Sequence, residues 1–229
     1  MTPPKELLSI SNLCLGFSDG KGKVTEVLKD VNCCLHRGET LGIVGESGSG
    51  KSITSLAVMG LLPTTAEVSK GEILLFVNGE TIEPLKASEE RMRRIRGKSV
   101  SMIFQEPMTS LNPVQKCGKQ VAEVLLEHRL TTKRNARKQV IELFRKVDLP
   151  GPESIFDSYP HQISGGQKQR VMIAMAVACE PELIIADEPT TALDVTVQKR
   201  ILRLLKNLCA ESQTGLIFIT HDLGVVNEI

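Results

Sequence analysis

The sequence predicts an α/β protein: a doubly wound core with an antiparallel β lobe at its front and a helical insertion in its middle. Three observations carry that expectation. The glycine-rich run Gly45-Glu46-Ser47-Gly48-Ser49-Gly50-Lys51-Ser52 lies between an apolar strand and an apolar helix. Leu7–Leu15 and Val24–Leu35 alternate apolar and polar side chains with the period of a half-buried strand. Beyond Gly165, helix and strand signals take turns, as in a sheet whose crossovers are helices.

Taken in order, Leu7–Leu15 and Val24–Leu35 read as strands around a Ser18-Asp19-Gly20-Lys21-Gly22 turn. Thr40–Val44 is a short buried strand, and Ile53–Leu61 is the helix after the glycine-rich loop. Gly71–Val77 is a further strand, closed by an Asn78-Gly79 turn. Ala87–Arg96 is charged and helical, and Val100–Phe104 is a short central strand. A mostly helical region follows from about Met108 to Pro160, with helices at Gly118–Leu130 and Lys133–Val147. In the second of these, Val140, Leu143, Phe144 and Val147 form an apolar stripe. A helix at Gly165–Cys179, a strand at Leu183–Ala186, a helix at Val195–Ala210 and a strand at Gly215–Ile219 complete the alternation. Asp222–Ile229 begins another helix, with Val225, Val226 and Ile229 on its apolar face.

At 229 residues the chain is long enough for a substantial core, and 41% hydrophobic with 24% charged residues is an ordinary globular balance. A net charge of +1 argues against a general polyanion binder. No apolar run reaches transmembrane length and the start lacks a signal-peptide pattern, so the expectation is a soluble intracellular chain able to dock on a membrane protein. The six cysteines (14, 33, 34, 117, 179 and 209) contain no C-x-x-C pair. They read as buried, reduced thiols, with neither metal ligation nor disulfides expected.

The chemistry starts at the loop. Glycines 45, 48 and 50 let successive N–H groups point inward at a helix N-terminus, which makes an anion-binding nest. Lys51 adds a point charge for β- and γ-phosphates, and the Ser52 hydroxyl suits Mg²⁺. A strand–loop–helix of this spacing binds a nucleotide. Downstream, Leu183-Ile184-Ile185-Ala186 delivers Asp187 and Glu188 at the carboxyl end of a strand, where open α/β sheets place ligands. Asp187 suits Mg²⁺, and Glu188 can polarise a water for attack on the γ-phosphorus. A third motif, Ile163-Ser164-Gly165-Gly166-Gln167-Lys168-Gln169-Arg170, opens a helix with a hydroxyl and unobstructed N–H groups. It is a second phosphate-binding surface, and it makes sense if it serves the nucleotide of a different molecule.

With these residues in place the chain resembles the ATP-binding cassette (ABC) ATPases over essentially its whole length. Gly45–Ser52 is similar to the Walker A loop, Leu183–Glu188 to Walker B, and Ser164–Gln167 to the signature motif. Gln105 resembles the Q-loop glutamine, Ala192-Leu193-Asp194 the D-loop, and His221 the switch histidine. The resemblance implies a P-loop NTPase ABC ATPase core with an antiparallel β lobe and a helical subdomain at about 108–163, within a single domain over residues 1–229. It implies ATP and Mg²⁺ as the bound species, and a head-to-tail dimer sandwiching two ATP molecules. Nucleotide is then held by Gly45, Glu46, Ser47, Gly48, Ser49, Gly50, Lys51 and Ser52 of one subunit. Ser164, Gly165, Gly166, Gln167 and Asp194 reach it from the other. Glu188, His221 and Gln105 are the implied catalytic groups; Ser52, Gln105 and Asp187 are the implied metal ligands. Phe17 is the candidate for stacking on adenine, with core packing as the alternative.

A finer resemblance, to the peptide/nickel importer branch, rests on Phe104-Gln105-Glu106-Pro107-Met108-Thr109-Ser110-Leu111-Asn112-Pro113, on Tyr159-Pro160-His161-Gln162 and on Val171–Ala176. It implies the first ATPase subunit of an oligopeptide or dipeptide permease, peripheral on the cytoplasmic face of the inner or plasma membrane. Its partners would be a second ATPase subunit, two transmembrane permease subunits and, indirectly, an extracellular solute-binding protein. Nickel and glutathione import remain alternatives, as does an ABC ATPase acting on nucleic acid. Against the last, Ser52 to Ser164 carries neither heptads nor cysteine clusters, and Arg91, Arg93, Arg94, Arg96 and Lys98 follow Glu89 and Glu90 as on a solvated helix face. No nucleic-acid partner is expected. Members of the branch continue well past the histidine with two further strands, whereas this chain stops eight residues after His221. A piece truncated at its C-terminus is therefore expected, with the segment after Ile219 loosely held.

Overall fold

The computed structural model describes residues 5–20, 23–105, 110–190, 193–222 and 224. In chain order the elements are β1 (Glu6–Ser18), β2 (Val24–His36), β3 (Thr40–Val44), α1 (Lys51–Val58), β4 (Ala66–Val77) and β5 (Glu80–Ile82). They continue with α2 (Glu89–Ile95), β6 (Val100–Ile103), α3 (Cys117–Glu127), α4 (Lys133–Lys146) and α5 (Pro152–Asp157). After a single 3₁₀ turn at Pro160–Gln162 come α6 (Gly165–Val177), β7 (Leu183–Asp187), α7 (Val195–Ser212) and β8 (Gly215–Thr220).

Two sheets result. The front lobe is antiparallel, in the order β2-β1-β4-β5, and the core sheet is parallel, in the order β3-β8-β7-β6. Every residue of β7 and β8 is buried, as expected of parallel strands covered on both faces. Their side chains divide by strand period. Leu183, Ile185, Ile217 and Ile219 join an apolar cluster with the front lobe and α1. Ile184, Ala186, Leu216 and Phe218 join a second cluster with α3–α7. The parallel sheet is thus the shared wall between two cores, and the carboxyl ends of β3 and β7 open where those cores meet.

The front lobe is bound to that wall through Glu182. Its carboxylate pairs with Arg37 of the β2–β3 turn and accepts from the Asn78 N–H at 2.7 Å. Two departures from the sequence reading arise here. β4 begins at Ala66, well before the expected Gly71, because the long β1 carries its pairing through to Phe17↔Ala66. Gly71 does not start the strand; it sits inside it at φ +90°, where a Cβ would come within 2.5 Å of the Ser11 and Asn12 carbonyl oxygens. The Asn78-Gly79 turn is present with both residues at positive φ (53° and 76°), and it closes a two-residue hairpin onto β5, a strand too short for period-two reading.

Other boundaries moved for local reasons. α1 starts at Lys51, inside the glycine-rich loop, and gives way at Met59 before Gly60 at φ +61°. Cys179 lies in the turn after α6 rather than in the helix, and burial holds for Cys117 and Cys209 but not for Cys34, which is exposed on β2. The basic group around α2 is laced with carboxylates: Arg91–Glu80, Arg93–Glu127, Arg94–Glu90 and Arg96–Glu89. Arg96 also turns inward, donating to the Met59 and Gly60 carbonyls at 2.8 and 2.7 Å, and so caps the C-terminus of α1. Residues 21 and 22, Glu106–Thr109, Ala192 and most of the expected helix after Asp222 lie outside the described residues.

Candidate functional site

The glycine-rich loop leaves β3 and enters α1 through Gly50, the N-cap, at φ +92° with no side-chain cap and no acidic residue in the first turn. A side chain at Gly50 would come within 2.4 Å of Leu28 on β2, so glycine is required there for space as well as for backbone conformation. Gly48 is likewise at φ +82°. An uncapped helix start with two left-handed glycines leaves first-turn N–H groups directed at the loop, the arrangement that attracts an oxyanion. Lys51 is 8% exposed and folds back over the loop, donating to the Gly45 and Glu46 carbonyls at 2.7 Å each. A ligand that takes over the ammonium must displace two charge-assisted hydrogen bonds.

Asp187 ends β7 beside this loop. Burial pushes its carboxyl above the usual range, with the neighbouring Glu188 charge adding to the rise. A hydrogen bond with Ser52 and the Lys51 charge pull the other way. Among the described residues its Oδ1 is buried without a hydrogen-bond partner. An orphaned buried carboxylate oxygen next to a serine hydroxyl is the donor set of a hard divalent cation, so these residues fit Mg²⁺.

Glu188 adopts φ +46°, left-handed backbone that costs a non-glycine residue about 1–2 kcal/mol. Its N–H is held by the Ile219 carbonyl at 3.0 Å, which ties β7 to β8 at the turning point. Both predicted neighbours converge on one oxygen of its side chain. Gln105 Nε2 donates to Glu188 Oε2 at 3.1 Å, and His221 Nδ1 lies 3.1 Å from the same atom. The histidine is half exposed and the glutamate nearly buried, with 53% and 12% of the side chains accessible. Gln105 thus stands on the carboxylate rather than on the Asp187–Ser52 pair.

The Ser164–Gln167 motif lies elsewhere. Ser164 caps α6: its Oγ accepts from the Gln167 N–H at 3.3 Å, while its own N–H donates to Gln167 Oε1 at 2.8 Å. These residues therefore have work inside their own chain, which the sequence reading had not assigned them. The cap uses only the acceptor side of the hydroxyl, so its proton stays available to an outside acceptor. A Cβ at Gly166 would meet Val197 Cγ1 at 3.0 Å, and one at Gly165 would meet Leu193 Cδ2 at 3.7 Å. Asp194 is exposed and caps α7, accepting from the Val197 N–H at 3.0 Å. Ser164, Gly165, Gly166, Gln167 and Asp194 accordingly form one outward surface, assembled from two adjoining helix starts. Phe17 is half-buried on β1, packed against the front-lobe core.

Sequence reasoning missed the strained backbone of Glu188 and the seating of Gly50 on Leu28. A positive φ at a glutamate leaves no residue-type signal, and a contact between strand and loop depends on the fold.

Residues 28–191 match the model of a family described as ABC transporter. The oligopeptide transport ATP-binding protein OppD of Bacillus subtilis is 51% identical over 97% of this chain and 61% of its own length. The glutathione import ATP-binding protein GsiA of Salmonella choleraesuis is 49% identical over 98% of this chain and 36% of its own. The chain thus spans between about a third and two thirds of these relatives. Among solved structures, the dimeric ATP-binding cassette MJ0796 in a post-hydrolysis state bound to ADP and Pi superimposes with a TM-score of 0.82. It is 29% identical, and the match covers 97% of this chain and 91% of that one. None of the described helices is long and apolar enough to cross a membrane. Fold, loop and carboxylate geometry agree with these likenesses, and the chain belongs to the ABC transporter family.

Proposed function

We propose that this chain binds and hydrolyses ATP as the peripheral motor subunit of an importer, on the cytoplasmic face of the membrane, and that the solute is a peptide. The observation that carries the ATPase reading is Glu188, held between Gln105 and His221 next to the Asp187–Ser52 pair and the Lys51 loop. Gly45–Ser52 cradles the triphosphate, with Lys51 moving from the loop carbonyls to the β- and γ-phosphate oxygens. Ser52 and Asp187 would hold Mg²⁺, with the Oε1 of Gln105, whose Nε2 is on Glu188, as a further ligand; the ion would neutralise phosphate charge. Glu188 orients a water and accepts its proton as it attacks the γ-phosphorus; the bond from that phosphorus to the β–γ bridging oxygen breaks and ADP leaves, while His221 holds the carboxylate in place.

Ser164, Gly165, Gly166, Gln167 and Asp194 complete the nucleotide site of a second ATPase subunit in a head-to-tail dimer. The dimeric state of the cassette MJ0796 supports this reading. Hydrolysis then waits for closure, because the γ-phosphate lacks half its donors until the partner arrives. The other partners are two transmembrane permease subunits and an external solute-binding protein. Peptide import is supported by the 51% identity to OppD. Glutathione, itself a tripeptide, is the second reading, favoured by the 49% identity to GsiA. Phe17 is the candidate to stack on adenine, and its packing against the front-lobe core is the alternative use of that side chain.

Uptake of labelled oligopeptide and of labelled glutathione by cells with and without the gene separates the two solutes. For the chemistry, Glu188→Gln in the assembled complex should bind ATP and hydrolyse it ~10²-fold more slowly or worse. Hydrolysis at the parent rate would remove Glu188 from its role.

A further inference from the structure

One polar side chain of α6 is fully buried. Gln169 is 0% exposed, and among the described residues neither its Oε1 nor its Nε2 finds a hydrogen-bond partner. Its neighbour Arg170 does not share that condition, since its guanidinium donates to the Val147 carbonyl at 2.6 Å. Burying an amide with both ends unbonded opposes folding, and an apolar side chain of the same length would not carry that cost. Such a group stands out in a helix where Val171, Ile173 and Ala174 are all fully buried and apolar.

Its direction follows from helix geometry. Gly165 and Gly166 precede Gln169 by four and three residues, so all three share one face of α6. At those glycines the nearest side chains are Leu193 and Val197, which flank Asp194 at the start of α7. Gln169 therefore lies one turn further along α6 than Gly165, on the face that those glycines turn toward the start of α7.

We propose that Gln169 is a positioning residue: its amide takes up hydrogen bonds with the Leu193–Asp194 main chain when nucleotide closes the dimer. Ser164 and Asp194, the two groups this chain extends toward a partner's nucleotide, are thereby fixed relative to each other. The proposal rests on the ATPase dimer reading above. In the open state the amide is unsatisfied, which favours the closed state over the open one without any contact to nucleotide.

The test uses the complete protein in the complex with which it co-purifies, and compares Gln169→Met and Gln169→Leu with the parent. Both remove the polar ends, and methionine keeps the length. The unfolding midpoint without nucleotide should be equal or higher. ATP affinity should stay within about twofold, while kcat falls about tenfold or more with KM nearly unchanged. Amide hydrogen exchange at Leu193 to Gln198, slowed by ATP in the parent, should lose that response. A lower midpoint in both variants would mean the amide is already bonded at rest, through a buried water, and would overturn the proposal. Parent kcat together with parent exchange behaviour would overturn it as well. Glu188→Gln measured alongside keeps the two ideas apart. If that variant hydrolyses normally, Glu188 loses its catalytic role, while the exchange response at Leu193–Gln198 still decides the role of Gln169.

Discussion

Two helices in this protein begin where phosphate is expected, and they begin differently. α1 starts at Gly50 with no side-chain cap, so its first N–H groups are left open and only the Lys51 ammonium covers the loop. α6 starts at Ser164 with a complete capping box, its first-turn donor occupied by its own hydroxyl and Gln167 closing the other side. The first is a helix start whose open donors suit an anion; the second is a self-capped helix end that has one hydroxyl proton to offer outward. A site that must bind nucleotide alone needs open donors, whereas a surface that waits for a partner must survive in water until it meets one. The contrast also explains why Asp187, Glu188, Gln105 and His221 gather at the first helix and none of them at the second.

The largest expected effects break the first half of this contrast. Lys51→Ala removes the ammonium that bonds the Gly45 and Glu46 carbonyls and that we propose meets phosphate, so nucleotide affinity should fall ~10²-fold, equivalent to about 2.7 kcal/mol, by fluorescent-nucleotide titration. Loss well below tenfold would mean that backbone donors alone hold the triphosphate.

The second half is tested at Ser164. Ser164→Glu puts a carboxylate where a partner's γ-phosphate is to arrive, so ATP-driven association in a Glu188→Gln background should disappear from sedimentation profiles. Binding of ATP to the single chain should be unchanged if the proposed site at α1 is the right one. Ser164→Ala is the milder counterpart: loss of the cap should lower stability by about 1 kcal/mol in denaturant unfolding, whether or not nucleotide is present. If Ser164→Ala left stability untouched while abolishing association, the two uses of the hydroxyl would be separable after all.

The smallest effect concerns Asp187 and pH. Burial raises its folded-state pKa above the ordinary value of 3.8, so the ionised form weighs against folding above the raised value. Asp187→Asn should therefore unfold at a higher temperature than the parent near neutral pH in the absence of nucleotide and Mg²⁺. That advantage should shrink as pH falls through the raised value and vanish below about 3.8, where both states of the parent are protonated. The same variant should lose Mg²⁺-dependent nucleotide binding. An Asp187→Asn chain less stable at neutral pH would show that Ser52 and Lys51 outweigh burial.

Much of this was legible before any coordinates. Glycines at 45, 48 and 50 with Lys51 and Ser52 announce a phosphate loop because few other purposes require that spacing. The apolar runs of β7 and β8 announce a covered parallel sheet, since only strands buried on both faces lose their alternation. These are local properties, encoded within a few neighbouring residues.

Other features needed the folded chain because they depend on residues far apart in sequence. Gln105 and His221 meet Glu188 only because β6, β7 and β8 lie side by side and end together. The backbone of Glu188 is left-handed because the turn after β7 must bond back to Ile219, and no residue preference records that demand. β4 runs five residues longer at its start than its composition suggests because β1 offers partners that far. Gln169 reads as one more polar residue in a polar motif until packing removes water from both ends of its amide. Local spacing by itself determined the phosphate loop and where the helices start. Tertiary structure alone decided which charges face each other and which polar groups are left without a partner, because burial and long-range contact come into being only when the chain closes on itself.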